Sequence, residues 1–366
     1  MSYELICGDC LDVMRGMEDN SIDAIVTDPP YFRVKDEPWD NQWDTRRGFL
    51  SWLGMIADEW RRILRPNGSA YVFASPQMAW HVEGVIRERF NLLNRINWLK
   101  DSGWHQKSNE ESLRCYFPQT ETVLFAEQFN SDNIALGESG YNQKCDELRG
   151  FVFEPIRKYL DDERVRAGVT VRQVAEEFQR KTGSRTVTGM AGHWFTSVQW
   201  TLPTKDNYEW LRMTLSQLNH SGDYLRTQYD YLRTQYEDLR TQYEDLRRPF
   251  NATPDAPYTD VWTFPTVPTY PGKHPCEKPL AMMEHIVNLS TRRGDLVLDC
   301  FMGSGATGVA TVRAGRRFVG VDQSQHWVDY ADRRIYDASR ARQGQPKHIR
   351  GTAADFVGMP LFEVAA

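Results

Sequence analysis

The chain has 366 residues, of which 40% are hydrophobic and 12% aromatic, enough to build a folded core and too apolar for a disordered chain. Its formal net charge of −6 argues against a general polyanion binder, although a local basic face remains open. The sequence holds no apolar run long enough for a membrane-spanning helix, which needs about 18 residues.

The start, Met1-Ser2-Tyr3-Glu4-Leu5, lacks the basic and apolar blocks of a secretory signal. A cytoplasmic protein is therefore expected. The cysteines at 7, 10, 115, 145, 276 and 300 are scattered. Cys7 and Cys10 have CxxC spacing, but no second pair or histidine pair stands near them. Reduced thiols are expected, and no metal site.

From residue 1 to about 128, short apolar runs alternate with amphipathic stretches such as 49–64, the rhythm of an α/β domain. The runs include Ile22–Thr27, Ala70–Phe73, Arg95–Leu99 and Thr122–Phe125. The first reads as a buried strand and is followed directly by Asp28-Pro29-Pro30-Tyr31. Two consecutive prolines fix the backbone and remove two amide donors. The strand tip therefore offers carbonyl oxygens, one carboxylate and an aromatic face, groups that suit an exocyclic amine on a flat heteroaromatic ring.

Residues 129–270 do not continue the α/β rhythm and read as an insert. Thr170–Phe178 predicts an amphipathic helix with Val171, Val174, Ala175 and Phe178 inward. A turn at Gly183 and the stretch Thr188–Phe195 follow, in the length of a helix-turn-helix. Arg166, Arg172, Arg180, Lys181 and Arg185 make this segment locally basic and suited to phosphates. His193 and Trp194 are candidates to read bases or to pack.

A heptad repeat begins near 206, with leucines at 211, 218, 225, 232, 239 and 246 and a second track at 215, 229, 236, 243 and 250. That 3–4 spacing predicts a coiled-coil arm over about 206–247, ~60 Å long as one helix at ~1.5 Å per residue. Two readings stay open, an arm packed on its own protein and a homodimer formed through the arm.

The α/β rhythm returns in 271–345: a strand at 296–298, a glycine-rich turn, a helix, and a strand at 317–321. Neither half has strands enough for a doubly wound sheet, so 1–128 and 271–345 are expected to form one interrupted domain, with 346–366 as a tail. The turn, Asp299-Cys300-Phe301-Met302-Gly303-Ser304-Gly305, lets the backbone approach a ligand closely. It lacks the GxGxxG spacing of dinucleotide folds, whereas Asp322, ending the next strand, can accept from ribose hydroxyls. A nucleoside-bearing cofactor without a pyrophosphate fits both.

Taken together, Asp28–Tyr31 and Asp299–Gly305 resemble the amino-methylating DNA methyltransferases that use S-adenosylmethionine. The order, with the catalytic motif first and the cofactor motif last, is similar to their β class. Gly8-Asp9-Cys10-Leu11, Leu64–Ser69 and His274-Pro275-Cys276-Glu277-Lys278-Pro279 extend the resemblance over about 1–128 and 270–340. Asp322 stands where the family often has Glu, and Gly308 where it has a second Thr.

The resemblance implies a Rossmann-like S-adenosylmethionine methyltransferase sheet with an inserted, mainly helical region carrying the heptad arm. It implies Asp28, Pro29, Pro30 and Tyr31 as catalytic residues, with Asp28 and the Pro29 carbonyl accepting from the amine and Tyr31 stacking on the base. It places S-adenosylmethionine on Asp9, Cys10, Lys278, Asp299, Phe301, Gly303, Ser304, Gly305 and Asp322. Cys276 falls in the Lys-Pro motif and is no nucleophile.

The expected reaction is methylation of adenine N6 in double-stranded DNA, the base being flipped out of the helix. Arg172, Arg180, Lys181, Arg185, His193 and Trp194 of the insert are the expected DNA contacts. Similarity to phage-borne solitary methyltransferases implies a standalone enzyme. The alternatives are cytosine-N4 methylation, an RNA substrate, and a DNA-binding or coiled-coil scaffold with vestigial catalysis. A homodimer through the catalytic domain also stays open.

Overall fold

The computed structural model describes residues 2–34, 36–101, 116, 118–128, 150–185, 189–197, 200–219, 222–253, 258–341 and 347–352. They fall into two compact units, one drawn from 1–133 and 248–366 and the other from 134–247. Among the described residues no helix is long and apolar enough to cross a membrane.

The first unit is an α/β sheet. Its strands are β1 (Ser2–Cys7), β2 (Ile22–Thr27), β3 (Leu64–Ala74), β4 (Phe90–Leu99), β5 (Thr120–Gln128), β6 (Val261–Trp262), β7 (Leu296–Asp299), β8 (Arg317–Asp322) and β9 (Lys347–Thr352). They lie in the order β6-β4-β5-β3-β2-β7-β8-β1-β9. Every pairing is parallel except those of β5 with β3 and β4. The strands from the end of the chain, β7 and β8, slot between β2 and β1. One sheet is thus completed by segments more than 200 residues apart.

Alternation along β2 shows how the core divides. Ile25 faces the layer of α1 (Cys10–Arg15), α2 (Arg46–Ile63) and α3 (Ala79–Arg87), while Ala24 and Val26 face the other side. Further along the chain come α4 (Glu154–Arg166), α5 (Val171–Thr182), α6 (Lys205–Leu218), α7 (Tyr229–Leu246), α8 (Leu280–Ser290), α9 (Ala306–Ala314) and α10 (Gln325–Arg340). Of these α8, α9 and α10 cover the second face. Because α1 and α9 leave parallel strands toward opposite faces, a crevice opens at the carboxyl ends of β1, β2, β7 and β8, where open α/β sheets bind ligands.

Three expectations about the outer parts of the chain are corrected. Residues 248–270 belong to the sheet unit rather than the insert, because Arg248 is buried against Glu127 at 2.9 Å and β6 pairs with β4. Within the tail, 347–352 form β9 on the free edge of β1, which supplies partners for backbone groups left open there; 353–366 lie outside the described residues.

Third, no single helix runs from 206 to 247. The repeat breaks between α6 and α7, where Leu225 takes a left-handed φ of 52°. Side chains from α4 and α6 satisfy the turn: the Leu225 amide donates to Glu163 at 2.7 Å, the Thr227 amide to Tyr159 at 3.0 Å, and the Tyr208 hydroxyl to the Thr227 carbonyl at 2.7 Å. Leu211, Leu215, Leu225 and Leu232 sit in the second unit's own core with Phe153, Leu160, Phe178 and Trp200. These leucines thus serve intramolecular packing, while Leu218 of the same repeat is exposed.

That burial sets a stability test. Leu232→Ala, at a position 3% exposed, is expected to destabilise the second unit by about 2–5 kcal/mol, measured by urea unfolding with proteolysis inside 134–247. Unchanged stability together with a lost dimer would return the leucine to an intermolecular seam.

Candidate active site

A cavity of about 500 Å³ opens at the carboxyl ends of the parallel strands. The loop after β2 brings Asp28, Pro29, Pro30 and Tyr31 to its wall. The loop after β1 brings Asp9 and Cys10, the turn after β7 brings Asp299, Phe301, Gly303 and Ser304, and β8 brings Asp322. Lys278 enters from the loop before α8. Gly305, at the N-cap of α9, lies just behind this lining.

Local chemistry explains these placements. Asp9 caps α1, accepting from the Leu11 amide at 2.8 Å, and its other oxygen accepts from Gln323 at 2.9 Å. Gly305 has φ 74°, and a Cβ there would meet the Ala331 Cβ at 2.7 Å. Gly303 has φ 45°, and a Cβ would press on the His274 ring at 3.0 Å. Both glycines answer a backbone and a space that other residues do not fit. Asp322 accepts from the Gly303 amide at 3.0 Å and the Ser324 amide at 2.8 Å, tying the end of β8 to the glycine turn.

Asp299 accepts from Thr27 at 2.9 Å and from the Phe301 amide at 3.2 Å, and burial pushes its carboxyl up to about 7. The Cys300 thiol beneath it accepts from the Trp60 indole at 3.1 Å, and burial pushes it up to about 12. A thiol so held stays neutral and is a weak nucleophile.

The strongest electrostatics surround Asp28. Its Oδ2 lies 2.5 Å from the Lys278 ammonium, which also lies 2.9 Å from Glu121 Oε1. The Tyr31 hydroxyl donates to the same Glu121 oxygen at 2.5 Å, and Lys100 holds Glu121 Oε2 at 2.6 Å. Burial raises the Asp28 carboxyl above its ordinary value, while Lys278 pulls it down. Burial works against the Lys278 ammonium, but the two carboxylates beside it outweigh that pull and keep it firmly protonated. Burial likewise pushes Glu121 up, and the two lysines more than offset it, holding the carboxyl at about 2. Asp28 Oδ1 is buried with no hydrogen-bond partner among the described residues.

Sequence reasoning missed several groups here. Glu121 opens β5 ahead of an apolar run, and an acid leading into a buried strand was the available signal. Asp40, 2% exposed, accepts from the Tyr31 amide at 2.6 Å and fixes the tetrapeptide from a short 3₁₀ turn. Trp39 stacks on His274, which meets Trp327 edge-on at 4.5 Å. The His274 imidazole is lowered to about 4 by burial and by Lys278 and Lys273, so its Nδ1 accepts from the Cys276 amide at 3.2 Å. Lys278, expected among cofactor residues, lines the cavity with its ammonium given to Asp28 and Glu121.

The expected DNA contacts lie together in the second unit. Arg172 pairs with Glu176 at 2.9 Å and Arg180 with Glu177, both in α5, while Lys181 donates to Asn207 at 2.7 Å. Arg185 is exposed and His193 half-buried. Exposed pairs of this kind hold a side chain by about 0–1 kcal/mol, so they leave the arginines free to exchange partners. Trp194 corrects an expectation: it is 2% exposed, with Phe178 edge-on at 5.2 Å, and no base reaches its ring. The helix-turn-helix is corrected too, since α5 and Gly183 are followed by a 3₁₀ helix at Gly189–Trp194 and not by an α-helix; residues 186–188 lie outside the described set.

Comparison with known proteins supplies the family. The N6/N4 methyltransferase family model, described as DNA methylase, matches residues 22–333. The Type II methyltransferase M2.LlaDCHI of Lactococcus lactis subsp. cremoris is 40% identical over 352 residues, covering 90% of this chain and 88% of its own. The DNA adenine methyltransferase YhdJ of Escherichia coli (strain K12) is 23% identical over 349 residues, covering 92% and 83%. Among solved structures, TTHA0409 from Thermus thermophilus, a putative DNA modification methylase complexed with S-adenosyl-L-methionine, is 17% identical. It covers 95% of this chain and 99% of its own, with a TM-score of 0.48. With a family match over 22–333, this chain belongs to the amino-methylating DNA methyltransferases, the family that modifies adenine N6 or cytosine N4.

Proposed function

We propose that the chain transfers a methyl group from S-adenosylmethionine to the N6 amine of an adenine flipped out of duplex DNA. The observation that carries this reading is Asp28 Oδ1, a buried carboxylate oxygen without a partner among the described residues, on the wall shared by the tetrapeptide and the glycine turn. An unsatisfied buried acceptor is unfavourable by about 1–3 kcal/mol or more. An N–H donor from a substrate removes that penalty.

The residues present fit the cofactor. Asp322 has a free lone pair on each oxygen for ribose hydroxyls, and Asp9 and Cys10 flank the cavity where the purine is expected. Phe301, Gly303 and Ser304 supply an apolar wall and close backbone approach. When bound, S-adenosylmethionine supplies a methyl group on a positively charged sulfur, an electrophile for an amine.

The chain's part is to make the amine a nucleophile. The N6 lone pair of adenine is delocalised into the ring. Acceptance of its two N–H bonds by Asp28 Oδ1 and the Pro29 carbonyl draws the nitrogen toward tetrahedral geometry and releases that lone pair. The interaction strengthens as positive charge develops, which is where electrostatic stabilisation counts most. Tyr31, fixed at its hydroxyl by Glu121 and at its amide by Asp40, presents its ring to the base. Arg172, Arg180, Lys181 and Arg185 are assigned to phosphates on this reading, and His193 is kept as a candidate base contact.

Adenine is preferred over cytosine on two grounds. The tetrapeptide begins with Asp, where N4-cytosine members of the family usually have Ser, and the Escherichia coli relative is named as an adenine methyltransferase.

Asp28→Ala is expected to lower tritiated methyl transfer to duplex DNA by at least about 10²–10³-fold, with calorimetric affinity for S-adenosylmethionine within several-fold of wild type. Retained transfer would contradict the role of Asp28. Asp322→Ala should do the reverse, weakening S-adenosylmethionine binding by about 10–150-fold, as expected for hydrogen bonds to a charged group worth about 1.5–3 kcal/mol. Unchanged affinity in that titration would remove Asp322 from the cofactor site.

A further inference from the structure

Glu121 has no part in the motifs that identify the family, yet it reaches both working groups of the tetrapeptide loop, Tyr31 directly and Asp28 through Lys278. One oxygen, Oε1, accepts from the Tyr31 hydroxyl at 2.5 Å and from Lys278 at 2.9 Å. The other, Oε2, is pinned by Lys100 at 2.6 Å. The backbone explains the arrangement: Glu121 lies directly opposite Trp98 across the β4–β5 ladder, and Lys100 follows two residues on, with its ammonium 5.1 Å over the Trp98 ring. Position 121 is held by strand pairing, and its carboxylate cannot rotate without abandoning Lys100.

The consequence falls on Lys278. A buried ammonium with three N–H donors facing one carboxylate turns donors onto both of its oxygens. Glu121 draws one of those donors away. Lys278 then meets only Oδ2 of Asp28, at 2.5 Å, and Oδ1 is left without a partner among the described residues. We propose that Glu121 is a positioning residue for methyl transfer: it holds Tyr31 directly and Asp28 through Lys278, reserving Asp28 Oδ1 for the target amine. This inference rests on the reading of Asp28 as the amine acceptor.

The charged and titratable groups around Asp28 give the role a signature. They are Lys278, with Cys276 and His274 of its loop, Glu121 on β5 backed by Lys100 on β4, Tyr31 in the same loop, and Asp299 at the end of β7. Among them Lys278 favours the ionised form of Asp28 and Glu121 disfavours it. Removing one charge or the other must therefore move Asp28 in opposite directions. A defect that only loosened the fold would lower activity without moving the pH limbs apart.

The test is methyl transfer to duplex DNA across the pH range of activity for wild type, Glu121→Gln, Lys278→Met and Lys278→Arg, with S-adenosylmethionine affinity measured by calorimetry. Glu121→Gln is expected to lower kcat on the order of 10- to 100-fold, as for a small misplacement of a catalytic group, with cofactor affinity unchanged. Its acidic limb should move to lower pH, that of Lys278→Met to higher pH, and Lys278→Arg should recover most of the wild-type profile. Wild-type kcat in Glu121→Gln, limbs that move the same way, or loss of cofactor binding in step with rate would overturn the proposal.

Should Glu121→Gln not fold, Lys100→Met, which removes only the outer pin, decides instead. A lowered kcat at unchanged cofactor affinity supports the role, and an unchanged kcat overturns it. Wild-type protein that methylated no DNA would overturn the parent reading and this one with it. An active wild type with indifferent variants would overturn this one alone.

Discussion

Burial makes a charged Asp28 unfavourable, and the Lys278 ammonium 2.5 Å away offsets part of that penalty. Removing one partner of a buried pair leaves an uncompensated charge, typically at about 3–5 kcal/mol. The rest of the site is arranged around this pair. The two prolines stiffen the backbone that carries Asp28, Asp40 holds the Tyr31 amide, and Glu121 divides the ammonium between two carboxylates. The pair also joins the two halves of the chain, since Asp28 follows β2 while Lys278 precedes α8. The distant segments that complete the sheet also complete the site.

The glycine turn answers a different requirement. Gly303 and Gly305 take left-handed conformations, with His274 and Ala331 packed where a Cβ would sit. Asp322 accepts from the Gly303 amide, so the acid at the end of β8 shapes the turn that it borders. On the proposed reading, the methyl donor is held by backbone shape and the target base by charge. The two parts meet at the wall where Asp299 and Thr27 are hydrogen-bonded at 2.9 Å.

Much of this was legible in the sequence because it is written in local pattern. Strands β2, β7 and β8 are short, mainly apolar runs ending in Thr27, Asp299 and Asp322, and the functional loops begin directly after them. Glu121 shows in the sequence only as an acid entering a buried strand, because its meaning depends on cross-strand register with Trp98 and on a lysine 157 positions away. Asp40 was hidden for the same reason, its burial arising from a turn that nothing nearby announces. The heptads were read correctly as periodic and wrongly as continuous. The period marks the apolar positions, with Leu218 left exposed among them, whereas the break at 222–228 is set by hydrogen bonds with Tyr159, Glu163 and Tyr208. Trp194 shows a similar limit: an aromatic in a basic segment looks available until packing with Phe178 removes it from solvent.

Long-read sequencing of a plasmid propagated with the wild-type protein, mapping modified bases at single positions, tests the central claim most directly. The account predicts N6-methyladenine at the sites this enzyme recognises and its absence when Asp28 is replaced. Unmodified DNA, or methylation confined to cytosine N4, would contradict it.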